Sequence, residues 1–416
     1  MRNILFKERL SEKDRRNLDI LEAIRKAGRI SRSDISKITG FNIVTVSNYL
    51  NEYLKKGLVL ESGLDVSTGG RKPELVEFNP KFGYVIGIDF GPVHITEEAC
   101  MDAVLIDVAA KIAAKARIRK LEEDFDRMAE KVAALITEVI KKSGVDKSKI
   151  YNIGIGIGGV MDRYKGTVRI PTETGAVVNY TAIQDLIQRE FGISSVVEND
   201  ANAAALGERW AGLGFEAGIE NMLYIASDSG AGLIIKGELY SGSSNTAGEL
   251  NMNPPISGET GRCWTTYEYG CCMRSRGIDL GIGSRARGYF TQHKDAKSRI
   301  LDLVKGNIEK ISLGAVIEAS KAGDKTAIGL LEDAGDYLGT KVAYLINVFN
   351  PDIVVIGRGI ERTGEVLLNA MRRSIDRWAF KEAQKVVKVV PTSLGEDSIA
   401  LGAAALAMQT VFVDMF

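Results

Sequence analysis

Residues 30–59 constrain the fold of this chain most, because they alternate short helical patterns with glycine stops as a helix-turn-helix does. The pattern predicts a scaffold helix over residues 14–28, then a short helix over residues 34–39 that Ser33 caps. Asn42 is predicted to cap the next helix, whose polar side chains would face outward. We therefore expect a DNA-reading unit in this part of the chain.

The segment after that helix is typical of a two-stranded wing. Residues 58–60 and 74–78 predict its strands, and Gly69-Gly70-Arg71-Lys72-Pro73 is the tip between them. Two cations on a flexible tip suit phosphates or a minor groove. The residues predicted to contact DNA are Ser33, Asn42, Thr45, Ser47, Asn48, Arg71 and Lys72. A helical packing module with a solvated basic loop is the structural alternative.

Composition permits DNA binding without establishing it. The 416-residue chain has no net formal charge, yet residues 1–80 carry 15 Lys and Arg against 11 Asp and Glu. A hydrophobic content of 45% with 26% charged residues is ordinary for a globular protein. We identify no signal peptide, no apolar run long enough to cross a membrane and no secreted disulfide pattern among the 4 cysteines. The sequence predicts a cytoplasmic protein with no membrane partner.

Strands alternate with helices from residue 81 onward, which predicts an α/β fold. A strand over residues 84–91 has a hairpin partner at 103–107, and the strand at 222–226 returns at 233–235 in the same way. This weak internal repeat predicts two related lobes around a cleft. The expected domains are a winged helix over residues 1–80, a first lobe over 81–200 and a second lobe over 201–416.

Asn199 and Asp200 end a predicted strand and begin an alanine-rich helix. Ligands of α/β sheets bind at the carboxyl ends of strands, so this junction is a candidate binding site. The structural alternative is that Asp200 caps the helix and Asn199 satisfies a turn.

The order of several motifs makes the chain resemble the ROK family of repressors, open reading frames and kinases. The motifs are Gly69-Gly70-Arg71-Lys72-Pro73, Glu198-Asn199-Asp200-Ala201-Asn202-Ala203, Thr246-Ala247-Gly248-Glu249-Leu250, Asn350-Pro351-Asp352 and Gly357-Arg358-Gly359. The resemblance implies an actin-like ATPase fold, which is ribonuclease H-like, for the two lobes. In ROK kinases the residue matching Asp200 is the catalytic base, and those matching Asn199, Glu249 and Gly159 lie at the sugar. A sugar or polyol is therefore the implied ligand.

The ATP loops of the family are altered here. Asp89-Phe90-Gly91-Pro92-Val93 stands where the family has Asp-x-Gly-Gly-Thr, so proline removes an amide donor and valine removes a hydroxyl. The second loop matches residues 226–230, in which Asp228 would place a carboxylate near phosphate. These changes predict a degenerate ATP site and no kinase activity. An ATP-dependent sugar kinase carrying a DNA-binding domain is the alternative.

The zinc motif of the family is also incomplete. Met252 stands at the histidine position, and the middle cysteine is missing from the segment 263–272. Structural zinc normally has four protein ligands, so no cofactor is expected. If zinc were bound, Cys263, Cys271 and Cys272 would be its ligands; buried thiols are the alternative.

Together these patterns predict a sugar- or polyol-responsive transcriptional regulator, a repressor of carbohydrate-utilisation genes. It is expected to bind a double-stranded DNA operator as a homodimer or a dimer of dimers. A ligand-independent architectural DNA binder is a third hypothesis. For that class, Asn199→Ala or Glu249→Ala would leave regulation unchanged.

Overall fold

A computed structural model describes residues 11–64, 73–91, 99–120, 125–169, 177–215, 218–226, 230–250, 281–357 and 359–416. These residues form two compact units. The first unit contains the described residues up to Ala211 and those from Ile399 onward, and the second contains those from Gly212 to Ser398.

The first unit begins with a winged helix, as predicted. Its elements are α1 (Glu12–Ala27), β1 (Ile30–Ser31), α2 (Arg32–Thr39), α3 (Ile43–Lys56), β2 (Val59–Leu64) and β3 (Glu74–Phe78). The three strands form an antiparallel sheet in the order β1-β3-β2. Val46, Leu50 and Tyr53 of α3 are fully buried, because they recur at helical spacing on one face.

The cap of α2 differs from the predicted one. Ser31, not Ser33, accepts the N–H of Asp34 on its side chain, at 3.1 Å, so the helix begins at Arg32. Ser33 lies in the first turn, where its hydroxyl is 2.8 Å from that of Ser31. Because a cap bonds the N–H three residues ahead, the serine at the earlier position takes this role. The predicted cap Asn42 is confirmed: its Oδ1 accepts the N–H of Thr45 at 2.8 Å.

The rest of the first unit is built on a five-stranded sheet in the order β11-β7-β4-β5-β6. Its elements are β4 (Tyr84–Asp89), β5 (Cys100–Asp107), β6 (Ile112–Arg119), α4 (Phe125–Ser143), β7 (Ile150–Ile157), β8 (Val160–Asp162), β9 (Thr167–Arg169), β10 (Val177–Asn179), α5 (Tyr180–Phe191), β11 (Ser194–Asn199) and α6 (Asp200–Ala211). Strands β4, β7 and β11 run parallel, whereas β5 and β6 are antiparallel to their neighbours. The sequence did not predict β6, because Ala116 alone is buried along this edge strand. The sequence also did not predict β8, β9 and β10, which form a small antiparallel sheet.

The second unit has a sheet of the same design. Its elements are β12 (Met222–Ile225), β13 (Ala231–Ile235), β14 (Glu238–Leu239), α7 (Ile282–Gln292), α8 (Arg299–Leu303), α9 (Leu313–Lys321), α10 (Lys325–Phe349), β15 (Ile353–Ile356), α11 (Glu365–Trp378), α12 (Lys381–Gln384) and β16 (Lys388–Pro391). The order is β14-β13-β12-β15-β16, with three antiparallel strands followed by two parallel ones. If the strands of each sheet are numbered along the chain from 1 to 5, both sheets have the spatial order 5-4-1-2-3. This shared topology confirms the predicted internal repeat.

The last helix, α13 (Ser398–Met415), packs on the first sheet. A Cβ added to Gly87 of β4 would lie 1.9 Å from Ala400 O, and one on Gly154 of β7 would lie 1.8 Å from Ala403 O. The strands therefore lie against the helix backbone. Because α6 and α13 both pack here, the units divide at residues 211/212 and 398/399, whereas the sequence placed one boundary at 200/201.

Among the described residues, Gly395–Met415 is long and apolar enough to cross a membrane. The expectation that the chain contains no apolar run of this length is therefore wrong. In the structure 83% of the window is buried, so α13 is a core helix of the first unit. Its alanines and glycines permit the close packing on β4 and β7.

Candidate ligand site and DNA-binding surface

The predicted ligand residues Asn199 and Asp200 lie at the junction of β11 and α6. Asn199 Oδ1 accepts the N–H groups of Ala201 at 2.9 Å and Asn202 at 3.1 Å, so Asn199 makes the helix cap. Asp200 is buried, and its Oδ1 accepts the N–H of Ala201 at 2.8 Å. Asn199 therefore supplies the cap in place of Asp200, while both side chains bond backbone N–H groups at this turn, which is the local role that the structural alternative gave them. Both side chains stand at the N-terminal end of α6, where the positive end of the helix dipole favours oxygen-rich ligands.

The structure brings Gly159 to the same junction. Asn199 Nδ2 donates to Gly159 O at 3.0 Å. Gly159 has φ +125°, and a Cβ there would lie 2.7 Å from Val168 Cγ1 and 2.8 Å from Arg169 O. Glycine is thus required both by backbone conformation and by space. The predicted residues of the first unit form one arrangement in which Asn199 contacts both the helix and the glycine turn.

A buried ion pair supports this junction, and sequence reasoning missed it. Arg163 Nη2 lies 2.7 Å from Glu198 Oε2, and the two side chains are only 8% and 1% exposed. The other Glu198 oxygen accepts the N–H of Asn199 at 2.8 Å and Asn202 Nδ2 at 3.1 Å. Arg163 is therefore a positioning residue, because it holds the carboxylate that holds Asn199. Its only sequence signal is its place after the glycine turn.

Glu249, the other predicted sugar ligand, lies in the second unit. Its side chain is exposed, and its backbone pairs with Gly230 across an isolated bridge. Gly248 beside it has φ +89°, and a Cβ there would lie 1.9 Å from Ala231 O. The turn that presents Glu249 therefore depends on this glycine.

The first ATP loop is described as far as Gly91. Asp89 Oδ1 accepts the N–H of Gly91 at 2.8 Å, so this amide is already bonded within the loop. Lys120 is 2% exposed, donates from Nζ to Phe90 O at 3.1 Å and lies 4.4 Å from the centroid of the Phe90 ring. Sequence reasoning did not single out Lys120. Pro92, Val93 and Asp228 lie outside the described residues.

The zinc question also falls outside the described residues, since Met252 and the three motif cysteines lie within 251–280. In the part of the chain that the structure describes, no cluster of His, Cys, Asp and Glu is arranged to hold a metal ion.

The polar residues predicted to reach DNA lie on the outer side of α3 or before it. Asn42 and Asn48 are exposed, whereas Ser33, Thr45 and Ser47 are half-buried. Arg71 and Lys72 at the wing tip lie outside the described residues. Ile43 and Val44, which the sequence analysis did not consider, are 49% and 66% exposed at the start of α3.

The winged helix is joined to α13 by buried polar and aromatic contacts. Asn17 Nδ2 donates to Phe412 O at 2.9 Å, and Tyr53 OH donates to Asn17 Oδ1 at 2.5 Å. Burial raises the pKa of the Tyr53 hydroxyl. The Phe78 and Phe412 rings stack with centroids 5.8 Å apart, and the Phe416 ring packs edge-on against Tyr53. The end of α13 is therefore part of the winged-helix core.

A second connection joins α1 to the end of α6. Arg209 Nη1 lies 2.9 Å from Glu22 Oε1, and the Arg25 guanidinium lies 4.5 Å from the Trp210 ring centroid. Burial alone would raise the pKa of Glu22, but Arg209 and the neighbouring cations Lys26 and Arg25 lower it from 4.5 to about 2. Burial also lowers the pKa of Arg25 from 12.5 to about 10. Glu22 is therefore held as a carboxylate against α6.

A winged helix followed by two related lobes of sugar-kinase type is the architecture that the fold and site define. The ROK family profile matches residues 85–410, and a winged helix-turn-helix DNA-binding profile matches residues 13–59. The chain therefore belongs to the ROK family and carries a DNA-binding winged helix.

Its relatives include regulators and kinases. The xylose repressor of Caldicellulosiruptor bescii is 29% identical over 402 residues, covering 93% of this chain and 94% of the relative. The glucokinase of Halalkalibacterium halodurans is 28% identical over 334 residues, covering 78% of this chain and 95% of the enzyme. A crystal structure of a ROK family transcriptional regulator, a homologue of the Escherichia coli MLC protein, has a TM-score of 0.74 at 22% identity and covers 97% of this chain and 98% of its own. That structure confirms the fold from the winged helix to α13.

Proposed function

We propose that this protein is a cytoplasmic, homodimeric repressor whose affinity for its DNA operator changes when a sugar or polyol binds at the N-terminal end of α6. One observation carries the proposal: α6 begins at the candidate sugar ligands and ends against α1 of the winged helix. The xylose repressor that matches 93% of this chain supports repression, and it makes xylose the first sugar to test. The contact expected from Glu249 stays a prediction.

A rigid helix supplies the physical link. Helix α6 has 12 residues, or about 18 Å of length, so a shift at Asn199 is carried to Arg209 and Trp210. At that end it meets α1 through the Glu22 ion pair and the Arg25 ring contact. A ligand that favours one position of α6 changes the population of DNA-binding states only by its differential affinity for them.

The proposal includes no phosphoryl transfer. Pro92 has no N–H and Val93 has no hydroxyl, and the Gly91 N–H is bonded to Asp89. Phosphoryl transfer depends almost wholly on positioning and electrostatic stabilisation of phosphate, so these losses disfavour kinase activity. Release of ADP from Mg-ATP in the presence of a sugar would reverse this part of the proposal.

Asn199→Ala is expected to weaken the sugar response strongly. The test measures the melting temperature and the affinity for a selected operator duplex, with D-xylose or D-glucose and with or without Mg-ATP. The wild type should be stabilised by one of the sugars because that sugar binds the folded state. The variant should bind it at least about tenfold more weakly, because amide contacts to sugar hydroxyls and to Gly159 are lost.

Asn179→Ala is the matched control for this test. Asn179 also caps a helix, accepting the N–H groups of Thr181 and Ala182 at the start of α5. Both variants lose a cap worth about 1 kcal/mol, but the control should keep its sugar response. Equal sugar responses in the two variants would contradict the proposed site.

The connection through α6 has a test of its own. In the wild type, sugar is expected to weaken operator binding about tenfold. Glu22→Gln should reduce this effect to about threefold while leaving sugar affinity unchanged, because it weakens the contact with Arg209 but touches no ligand residue. Operator titrations at saturating and zero sugar measure the two ratios.

Glu77→Gln is the control. Glu77 Oε2 lies 2.8 Å from Arg29 Nε, and this ion pair lies wholly within the winged helix. The pH dependence gives a second readout. Because the folded-state pKa of Glu22 is depressed, its stabilisation is present above pH 4.5 and is lost as the pH falls towards 2. The melting temperatures of wild type and Glu22→Gln should therefore converge over that range.

A further inference from the structure

The start of α3 exposes apolar side chains that the protein core does not use. Ile43 is 49% exposed and Val44 is 66% exposed, whereas Val46, Leu50 and Tyr53 of the same helix are fully buried. The buried face of α3 is therefore already complete. Val44 lies opposite the buried face, and Ile43 lies at the N-terminal edge of that face, where half of its side chain stays exposed.

The position of these two side chains in the helix identifies their partner. Ile43 and Val44 follow the cap Asn42 directly, so they are the first residues of the second helix of a helix-turn-helix. The N-terminal residues of that helix contact base edges in the major groove. The surface is thus continuous with the DNA-binding module that the winged-helix profile matches.

The electrostatics of this end also suit DNA. The first turn of α3 contains no acidic residue, so the positive end of its dipole is not neutralised there. Lys37 near the end of α2 lies 2.9 Å from Asp34 Oδ1, but its side chain is 76% exposed, so a phosphate can reach it and compete with this surface ion pair. Phosphates on either side of a groove would therefore be attracted to this end of α3.

We propose that Ile43 and Val44 are specificity-determining residues that recognise the 5-methyl groups of thymines in the operator. Thymine presents its methyl group in the major groove, where the other bases of unmodified DNA present none, and apolar side chains contact it. The operator half-site should therefore carry thymines where the start of α3 enters the groove. This inference rests on the DNA-binding part of the proposed function and adds the chemistry of base recognition.

The experiment uses the full chain and a duplex that it enriches from a pool of randomised DNA. Each thymine of that duplex is replaced in turn by deoxyuridine, which removes the methyl group and keeps the hydrogen-bonding edge. Wild-type affinity, measured by fluorescence anisotropy, should fall about three- to tenfold at particular thymines of each half-site. If deoxyuridine leaves the affinity unchanged at every position, the inference about methyl groups is wrong but DNA binding stands. If the chain enriches no duplex, the DNA-binding part of the proposed function is wrong as well.

Val44→Ala and Ile43→Ala connect the methyl groups to the side chains. Alanine suits a helix and both positions are exposed, so the variants should fold. Each should bind the thymine duplex about threefold more weakly and discriminate less between thymine and uridine at its own position. Val177→Ala, at a 61% exposed valine of β10, is the control that should keep both properties.

The alternative occupant of this surface is a second copy of the chain. Light scattering of the Val44→Ala variant addresses it. The inference is supported if the variant keeps the molecular mass of the wild type in solution and discriminates less between thymine and deoxyuridine. A reduced mass with unchanged discrimination would overturn it.

Discussion

Arg163→Met is expected to lower the free energy of unfolding by about 3–5 kcal/mol, because Glu198 keeps its buried charge but loses the guanidinium that pairs with it. The pair is almost inaccessible to water, with side chains 8% and 1% exposed and a 2.7 Å contact. Methionine retains much of the length of arginine, so the effect reports mainly on charge. Urea unfolding of the full chain, followed by circular dichroism, measures it.

Arg117→Met is the matched control. Arg117 Nε lies 2.6 Å from Asp102 Oδ1, but the side chains are 53% and 20% exposed, so its loss should cost less than about 1 kcal/mol. The double variant Arg163→Met/Glu198→Gln should recover part of the stability, because no charge remains and the glutamine oxygen still accepts the N–H of Asn199. Equal losses for the two arginines would contradict the argument.

The elements that the sequence predicted are those whose pattern is local. The scaffold helix predicted over residues 14–28 corresponds to α1 (Glu12–Ala27), and the hairpin of β4 and β5 was predicted from two apolar runs. Edge strand β6 was missed because it buries little, and α2 was given the wrong cap because Ser31 and Ser33 are both suitable capping residues. Local patterns thus predict elements well but do not decide between neighbouring caps or detect exposed strands.

The candidate site was predicted in part, and through the family resemblance. Asn199, Asp200 and Gly159 lie together as expected, since Asn199 bonds Gly159 directly. The contact of Arg163 with Glu198 could not be predicted, because these residues are 35 positions apart and the pairing depends on the small sheet that β8 begins. The contacts between Asn17 and Phe412, 395 positions apart, depend likewise on the return of α13 to the first unit.

Gly402→Ala is expected to destabilise the first unit by about 3 kcal/mol or more, although alanine is the better helix former. A Cβ at Gly402 of α13 would lie 1.6 Å from Ala203 O and 2.8 Å from Gly207 N, both of them backbone atoms of α6. Backbone atoms cannot move aside as a flexible side chain can, so α13 and α6 must separate. Denaturant unfolding of the full chain measures the loss.

Gly329→Ala is the control, because Gly329 lies within α10 and a Cβ there meets nothing within 4 Å. This substitution should gain up to about 1 kcal/mol from helix propensity. Gly402→Ala should also impair the sugar response of operator binding, since α6 joins Asn199 to α1 and α13 joins the same sheet to the winged-helix core. A Gly402→Ala protein as stable as the wild type would show that α13 separates from α6 without cost, which would remove the rigid packing on which transmission through α6 depends.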